Sequence, residues 1–325
     1  MTTMARTRLY RTGELVRENF PVTDVSELLA DKSALVWIDF DQPAPEDLLT
    51  LADELGLHPL AVEDALHPAQ RPKIDRYNSH LFLATYTVHL DEATGRMASS
   101  QVSAFITPQA LVTIHSEHFN TDALVERWDG ASDLAGHGVG FLVWGLLDVI
   151  VDGHFNAVEQ LDDAMDSLEE MLFDERPRTE EVQRRSFELR KSLLTLRRVV
   201  MPMREVLNTL LRRDLGVVVN GMEPYLQDVY DHVVRATETT ESLRDLVATI
   251  LETNLSLQSN RMNLIMKKVT SWAAIIAVPT AVTGFYGQNL PYPGYNTEWG
   301  FLVSTGLIVF LGVGLYVAFR KRDWL

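Results

Sequence analysis

Residues 301–319 (FLVSTGLIVFLGVGLYVAF) run for nineteen positions without a charge, long enough as a helix to cross a hydrocarbon layer of about 30 Å. Residues 269–285 add seventeen more uncharged positions, with Trp272 near one end and Tyr286 just past the other. This pair restricts the fold more than any other feature, because both stretches read as membrane-spanning helices. Charge placement orients them. Lys267 and Lys268 precede the first stretch, Arg320, Lys321 and Arg322 follow the second, and the 287–300 connection holds no Lys or Arg. The excess of basic residues on the cytoplasmic side then puts both ends inside and the loop outside. The expectation is a multi-pass protein of the inner (plasma) membrane with cytoplasmic N- and C-termini. The opening MTTMARTRLYRTG is basic but has no apolar core after it, so no signal peptide is expected.

Residues 1–135 read as a cytoplasmic α/β domain. The runs 34–40, 81–90, 102–107 and 110–115 are rich in β-branched and aromatic residues and predict strands, the last two joined tightly at Pro108-Gln109. Residues 45–55 and 59–66 predict helices, each with proline in its first turn. Residues 136–221 read as a helical hairpin of opposite charges. The stretch 148–175 carries ten acids and no Lys or Arg, and 176–213 carries eleven Lys or Arg against four acids. Two antiparallel helices that neutralise one another, closed near Pro177, would account for this. Acids on nearly every face of the first helix leave open that some of them meet cations from solution.

Residues 225–278 are 54 positions with neither glycine nor proline, running into the first membrane stretch. As one helix this is about 80 Å at 1.5 Å per residue, too long to stand unaccompanied. Leu226, Val229, Tyr230, Val233, Leu243, Leu246, Val247, Ile250 and Leu251 form its expected packing face. Residues 222–286 are thus expected as a stalk helix continuing as the first membrane helix. A loop (287–300), a second membrane helix (301–319) and a basic tail (320–325) follow. From Glu252, steps of four and three residues give Ser256, Ser259, Asn263, Met266, Thr270, Ala273, Ala277, Thr280 and Gly284. This small or polar seam fits a close helix–helix contact or a pore lining. Asn263, Thr270 and Thr280 favour the pore. One helix cannot enclose a channel, so the pore reading requires a homo-oligomer with closed rotational symmetry.

At the outer end stand Tyr286, Gly287, Gln288 and Asn289, where the helix should stop. Gly287 suits a left-handed helix terminus. The side-chain oxygens of Gln288 and Asn289 would make a ring of neutral acceptors at the mouth. Such a ring suits magnesium, which gives up its water reluctantly. A simple turn, supported by Pro291 and Pro293, is the other reading. Glu298, the one acid in the outer loop, would concentrate cations at the vestibule.

Several segments together resemble the CorA family of magnesium channels: Gly56-Leu57-His58-Pro59-Leu60, Glu63-Asp64, Gln70-Arg71-Pro72-Lys73, Asp228-Val229-Tyr230-Asp231-His232, and the tail ending Trp324-Leu325. The family's mouth signature is Gly-Met-Asn, and Gly287-Gln288-Asn289 departs from it at the middle position. The resemblance implies an α+β cytoplasmic domain followed by a long stalk helix and a two-helix transmembrane hairpin, assembled as a funnel-shaped homopentamer. It implies pore positions at Asn263, Met266, Val269, Ala277, Thr280, Gly284 and Asn289, with Met266 and Val269 as a hydrophobic constriction. It also implies regulatory magnesium sites between subunits, with Asp64 and Glu252 at one and Glu63, Asp148 and Asp228 around another. Each of these acids read alone is an ordinary solvated carboxylate.

A net charge of −16 argues against nucleic acid as a partner and for cations. The implied function is passive, potential-driven magnesium influx with feedback closure by cytoplasmic magnesium. Co2+, Ni2+ or Zn2+ are the alternative ions, and a proton-coupled zinc or other transition-metal transporter is the alternative mechanism. A membrane-anchored enzyme or metal sensor is disfavoured: there is no nucleotide-binding loop, no HExxH and no GxSxG. His115-Ser116-Glu117-His118 offers metal ligands but reads better as an exposed loop after a strand.

Overall fold

The computed structural model describes residues 5–67, 71–91, 94, 96–116, 119–174, 178–212, 221–288, 291 and 293–325. They divide into two compact units, 1–250 and 251–325.

The first unit is built on a seven-stranded sheet, ordered β2-β1-β3-β7-β6-β5-β4. Its strands are β1 (Arg6–Arg11), β2 (Glu14–Glu18), β3 (Ala34–Asp41), β4 (Lys73–Arg76), β5 (Leu81–Asp91), β6 (Arg96–Ile106) and β7 (Ala110–His115). Only β3 and β7 pair in parallel, Val36 opposite Ala110 through Asp41 opposite His115. Strand β3 is buried from Ala34 to Phe40, as a central strand covered on both faces must be. On one face, Val36, Ile38, Phe40, Phe82, Phe105 and Val112 pack with Leu48 and Leu51 of α2 (Pro45–Leu55) and Ala61 and Val62 of α3 (Pro59–Leu66). On the other lies Trp37, its indole N–H donating to Thr113 Oγ1 at 2.9 Å and its ring edge-on to Trp128 of α4 (Thr121–Gly130). The short α1 (Val25–Leu28) precedes β3.

The predicted helices 45–55 and 59–66 coincide with α2 and α3. Gly56 ends α2 at φ 65°, and His58 Nδ1 caps α3 by accepting from Leu60 N–H. Strands β1, β2 and β4 were not anticipated. All of β2 is exposed at the sheet edge, and β1 buries a cation, with Arg8 reaching Glu18 at 2.7 Å and Asp129 at 2.8 Å.

Helices α5 (Val139–Leu172) and α6 (Thr179–Leu211) pack together and against the sheet. The apolar half of α5 is long enough to cross a membrane, but 72% of it is buried inside the first unit, so it is core. The expectation that the two helices neutralise one another is corrected. Arg184 and Arg185 pair with Glu188 and Glu181 of their own helix, and Arg197 reaches Glu241. Acids of α5 pair with Arg127 of α4 instead. Core packing decides which faces meet, and it leaves Glu159, Asp162, Asp163, Asp166 and Glu170 facing solvent. Pro177, the expected closing position, lies outside the described residues.

Helix α7 runs from Glu223 to Tyr286, 64 residues with Pro279 inside it. In the first unit its buried stripe is Leu226, Val229, Val233, Ala236, Thr240, Leu243, Val247 and Ile250, alternating three and four. Tyr230, Leu246 and Leu251, also expected to pack, are half-buried beside it. In the second unit the rest of α7 is followed by α8 (Glu298–Lys321). Both helices are long and apolar enough to span a membrane.

Candidate ion-conduction site

The seam predicted along α7 has a distinct place in the second unit. Glu252, Ser256, Ser259, Asn263, Met266, Thr270, Ala273, Ala277, Thr280 and Gly284 are all exposed. The shielded residues of the apolar part are Ser271, Ala274, Ile275, Val278, Pro279 and Val282 instead, with Ser271 fully buried. On α8 the shielded residues are Ser304, Ile308, Gly312, Leu315 and Phe319, again at steps of three and four. Each seam position from Ala273 onward lies two residues beyond a shielded one. At 100° per residue that is about 200°, nearly the opposite side of the helix. The small residues therefore do not make the contact within this hairpin, which removes the intrachain form of the helix–helix reading.

Hydrogen bonding tunes what the seam presents. Thr280 Oγ1 donates to the Ile276 carbonyl at 3.1 Å, which uses its proton and leaves oxygen lone pairs outward. Pro279 has no N–H, so the Ile275 carbonyl loses its helical donor. Met266 and Val269 are 55% and 58% exposed, two unshielded apolar side chains within one turn.

At the outer end, Gly287 N–H donates to Thr283 O at 2.8 Å and Gln288 N–H to Phe285 O at 3.3 Å. The expected left-handed Gly287 is corrected, because Gly287 is not among the residues with positive φ. Glycine is required there by crowding: a Cβ would lie 2.8 Å from the Thr283 carbonyl oxygen. Tyr286 is half-buried and Gln288 exposed, while Asn289 lies outside the described residues. Thr297 caps α8, its Oγ1 accepting from Gly300 N–H, and Glu298 sits exposed in the first turn. There the carboxylate also complements the helix dipole, a structural use independent of any ion.

Two of the candidate regulatory acids, Asp64 and Asp148, already have cationic partners. Asp64 on α3 meets Lys73 Nζ at 2.7 Å, and Lys73 also meets Asp75. Asp148 on α5, 7% exposed, lies 2.6 Å from Arg127 Nη1, close but too poorly aligned for a directed hydrogen bond. Burial raises its pKa and Arg127 lowers it; Asp152 and Asp228 raise it further, His232 lowers it, and the net shift is upward. Asp228 and His232 of α7 therefore face the same cluster. Glu63 is exposed on α3, and Glu252 is exposed in the second unit. Among the described residues of one chain, no three His, Asp or Glu converge as a metal site. Sequence reasoning missed Arg127, and it named Lys73 and His232 only within segments that carry the family resemblance, without a part beside these acids.

His115 is not in an exposed loop, as was expected. It ends β7, 7% exposed, with Nε2 3.0 Å from Asp39 Oδ2 and Nδ1 3.0 Å from the Ser116 carbonyl. Glu117 and His118 lie outside the described residues.

A family model described as "CorA-like Mg2+ transporter protein" matches residues 32–321. The chain is 33% identical over 312 residues to the cobalt/magnesium transport protein CorA of Thermotoga maritima, covering 94% of this chain and 88% of that one. The complete structure of the CorA magnesium transporter from Methanocaldococcus jannaschii superimposes with a TM-score of 0.80 at 23% identity, covering 100% of both chains. The zinc transport protein ZntB of Yersinia pseudotuberculosis is 23% identical over 304 residues, covering 92% of this chain and 90% of that one.

Proposed function

Since the chain belongs to the CorA-like Mg2+ transporter family, whose members are transporters and not enzymes, we propose that it forms a channel carrying magnesium passively into the cell. The observation that supports this most is the seam, polar or small and exposed on the side of α7 away from α8. Copies of α7 arranged around an axis, five by the family resemblance, would turn those faces inward. Asn263, Thr270 and Thr280 would offer oxygen to a hydrated ion. Met266 and Val269 would close the path by excluding water, and Gly287, Gln288 and Asn289 would ring the mouth. A divalent ion entering at −100 mV gains about 4.6 kcal/mol, so no other energy source is needed.

Feedback closure is part of the same proposal. Asp64, Glu252, Glu63, Asp148 and Asp228 would act from more than one subunit, because the described residues of one chain assemble no complete site. An ion binding there competes with Lys73 and Arg127, which makes the sites weak. Weak sites suit a sensor working near about 1 mM, the weak end for oxygen-ligand sites. The second reading, a proton-coupled zinc transporter, is favoured by Gln288 in place of the signature methionine.

The chain has no cysteine, so single cysteines can be read without background. Thr270→Cys, Ala277→Cys and Thr280→Cys should lose magnesium flux when a charged thiol reagent is added. Val278→Cys, on the shielded side, should not. Equal block at both sets of positions would refute the pore assignment.

A further inference from the structure

Helix α6 leaves large apolar side chains in water. Phe187, Leu194 and Met201 are all exposed, Phe187 at 69%. They recur at every seventh residue, so they fall in one line about 21 Å long. That line is turned away from the buried face of Leu189, Leu193, Leu196 and Val200. Arg190, Lys191 and Arg198 stand along it, all exposed, and no acid is exposed between 187 and 201. A single exposed leucine is ordinary, but an aligned apolar set among charges of one sign is a contact surface.

Helix α5 carries the matching surface. Its neutral flank faces α6, where Ala164 and Ser167 line one cavity with Arg184, Arg185 and Leu189. Asp162, Asp166, Glu169 and Phe173 lie about 100° or more round the helix from both of those small residues. Glu159 and Glu170 stand beside them. Glu169 is half-buried and the others are exposed, Phe173 at 72%. No Lys or Arg interrupts this helix, so the face from 159 to 173 is acidic throughout and, at about 21 Å, as long as the face of α6. Among the described residues none of these acids and none of the three cations of α6 forms an ion pair. The acids point away from α6, so the two faces cannot meet within one chain.

We infer that the outward face of α6 seats a second copy of this chain through the acidic face of that copy's α5. Opposite potentials on the two faces select the partner and fix its register, and Phe187, Leu194 and Met201 supply the area that leaves water. The contact joins two different surfaces, so each copy offers one and receives the other, and repetition closes a ring. It also accounts for the acidic-then-basic division of residues 148–213, which pairing inside one chain leaves unexplained. The inference rests on the oligomer that the transport proposal requires, and it names a surface that joins the copies.

The test uses the full chain in detergent, which has no cysteine of its own. Asp162 stands ten residues before the end of α5 and Arg190 eleven after the start of α6, so the two are about equally far from the closed end of the hairpin. The double variant Asp162→Cys with Arg190→Cys, oxidised with copper phenanthroline, should give a ladder of covalently joined chains on a denaturing gel. Either single variant should stay monomeric there, and a covalent dimer from one of them would overturn the head-to-tail contact. Lys191→Glu with Arg198→Glu in the double variant should slow joining several-fold, as expected for two exposed charge pairs, and adding Asp166→Lys with Glu169→Lys should restore the rate. A rate indifferent to both changes would overturn the inference. Native mass spectrometry counts the copies in parallel. An oligomer whose cysteines stay reduced, or join only within one chain, would overturn the inference and leave the transport proposal standing. A monomer would overturn both.

Discussion

Replacing Arg127 by Met removes the cation that touches Asp148 and Asp152, at 2.6 and 2.5 Å. Asp148 is 7% exposed and Asp152 40%, so the guanidinium bridges a dry carboxylate and a wet one. A charge pair about 4 Å apart at an effective dielectric of 20 attracts by about 4 kcal/mol, an upper bound. Arg127 is itself 39% exposed, and solvent screening cuts the figure to about 2 kcal/mol. For a unit of this size that lowers the melting temperature by about 4–8 °C. Scanning the full chain in detergent measures it. Asp148→Asn in the Arg127→Met background should recover most of the loss, since the penalty is an uncompensated buried charge. The sign with pH follows from the raised carboxyl of Asp148, which rises further without Arg127. A folded-state pKa above the unfolded value favours the fold at low pH, so the deficit should shrink as pH falls toward the ordinary carboxylate range. An unchanged melting temperature, or no recovery by Asp148→Asn, would refute the electrostatic reasoning.

Lys73→Gln should sharpen inhibition by internal magnesium in patch recordings, by removing the ammonium that competes with a cation at Asp64; an unchanged dose response would remove Asp64 from regulation. His115 has acceptors facing both ring nitrogens, Asp39 and the Ser116 carbonyl, which only the protonated ring satisfies. Burial alone would lower its pKa, but Asp39, Ser116 and Asp41 outweigh burial and raise it. Its stabilisation is therefore full below about 6.5 and lost as pH rises through the raised value, so the gap between wild type and His115→Gln, about 1–3 kcal/mol at pH 6, should narrow toward pH 9. His154, fully buried and pushed down to about 4, has the opposite sign, and its contribution should fade as pH falls from about 6.5 to 4. Gly145→Ala should cost about 1–3 kcal/mol in the same melting assay, because its Cβ would meet Trp128 Nε1 at 2.3 Å.

The features readable in the sequence were those set by periodicity and by missing residue types. Absent charges marked both helices that are long and apolar enough to span a membrane, absent glycine and proline marked α7, and the alternation of three and four marked a seam that is continuously exposed. Proline at the first turn gave α2 and α3. What stayed hidden depended on partners far apart in the chain. Strand β1 reads as a basic terminus until Glu18 and Asp129 are seen to hold Arg8. The acids of α5 look like the counterpart of α6 until packing directs them to Arg127 and to solvent. Gly287 was expected for its backbone freedom but is needed for space, a distinction that depends on where the Thr283 carbonyl points.

The central claim is that α7 lines a passive path for a divalent ion. Purified protein in vesicles loaded with a magnesium-sensitive dye, with potential and pH gradient set independently, tests it most directly. The account predicts magnesium uptake that follows an inside-negative potential with no pH gradient and stops when the potential is collapsed. Uptake that requires a proton gradient and ignores the potential would contradict it.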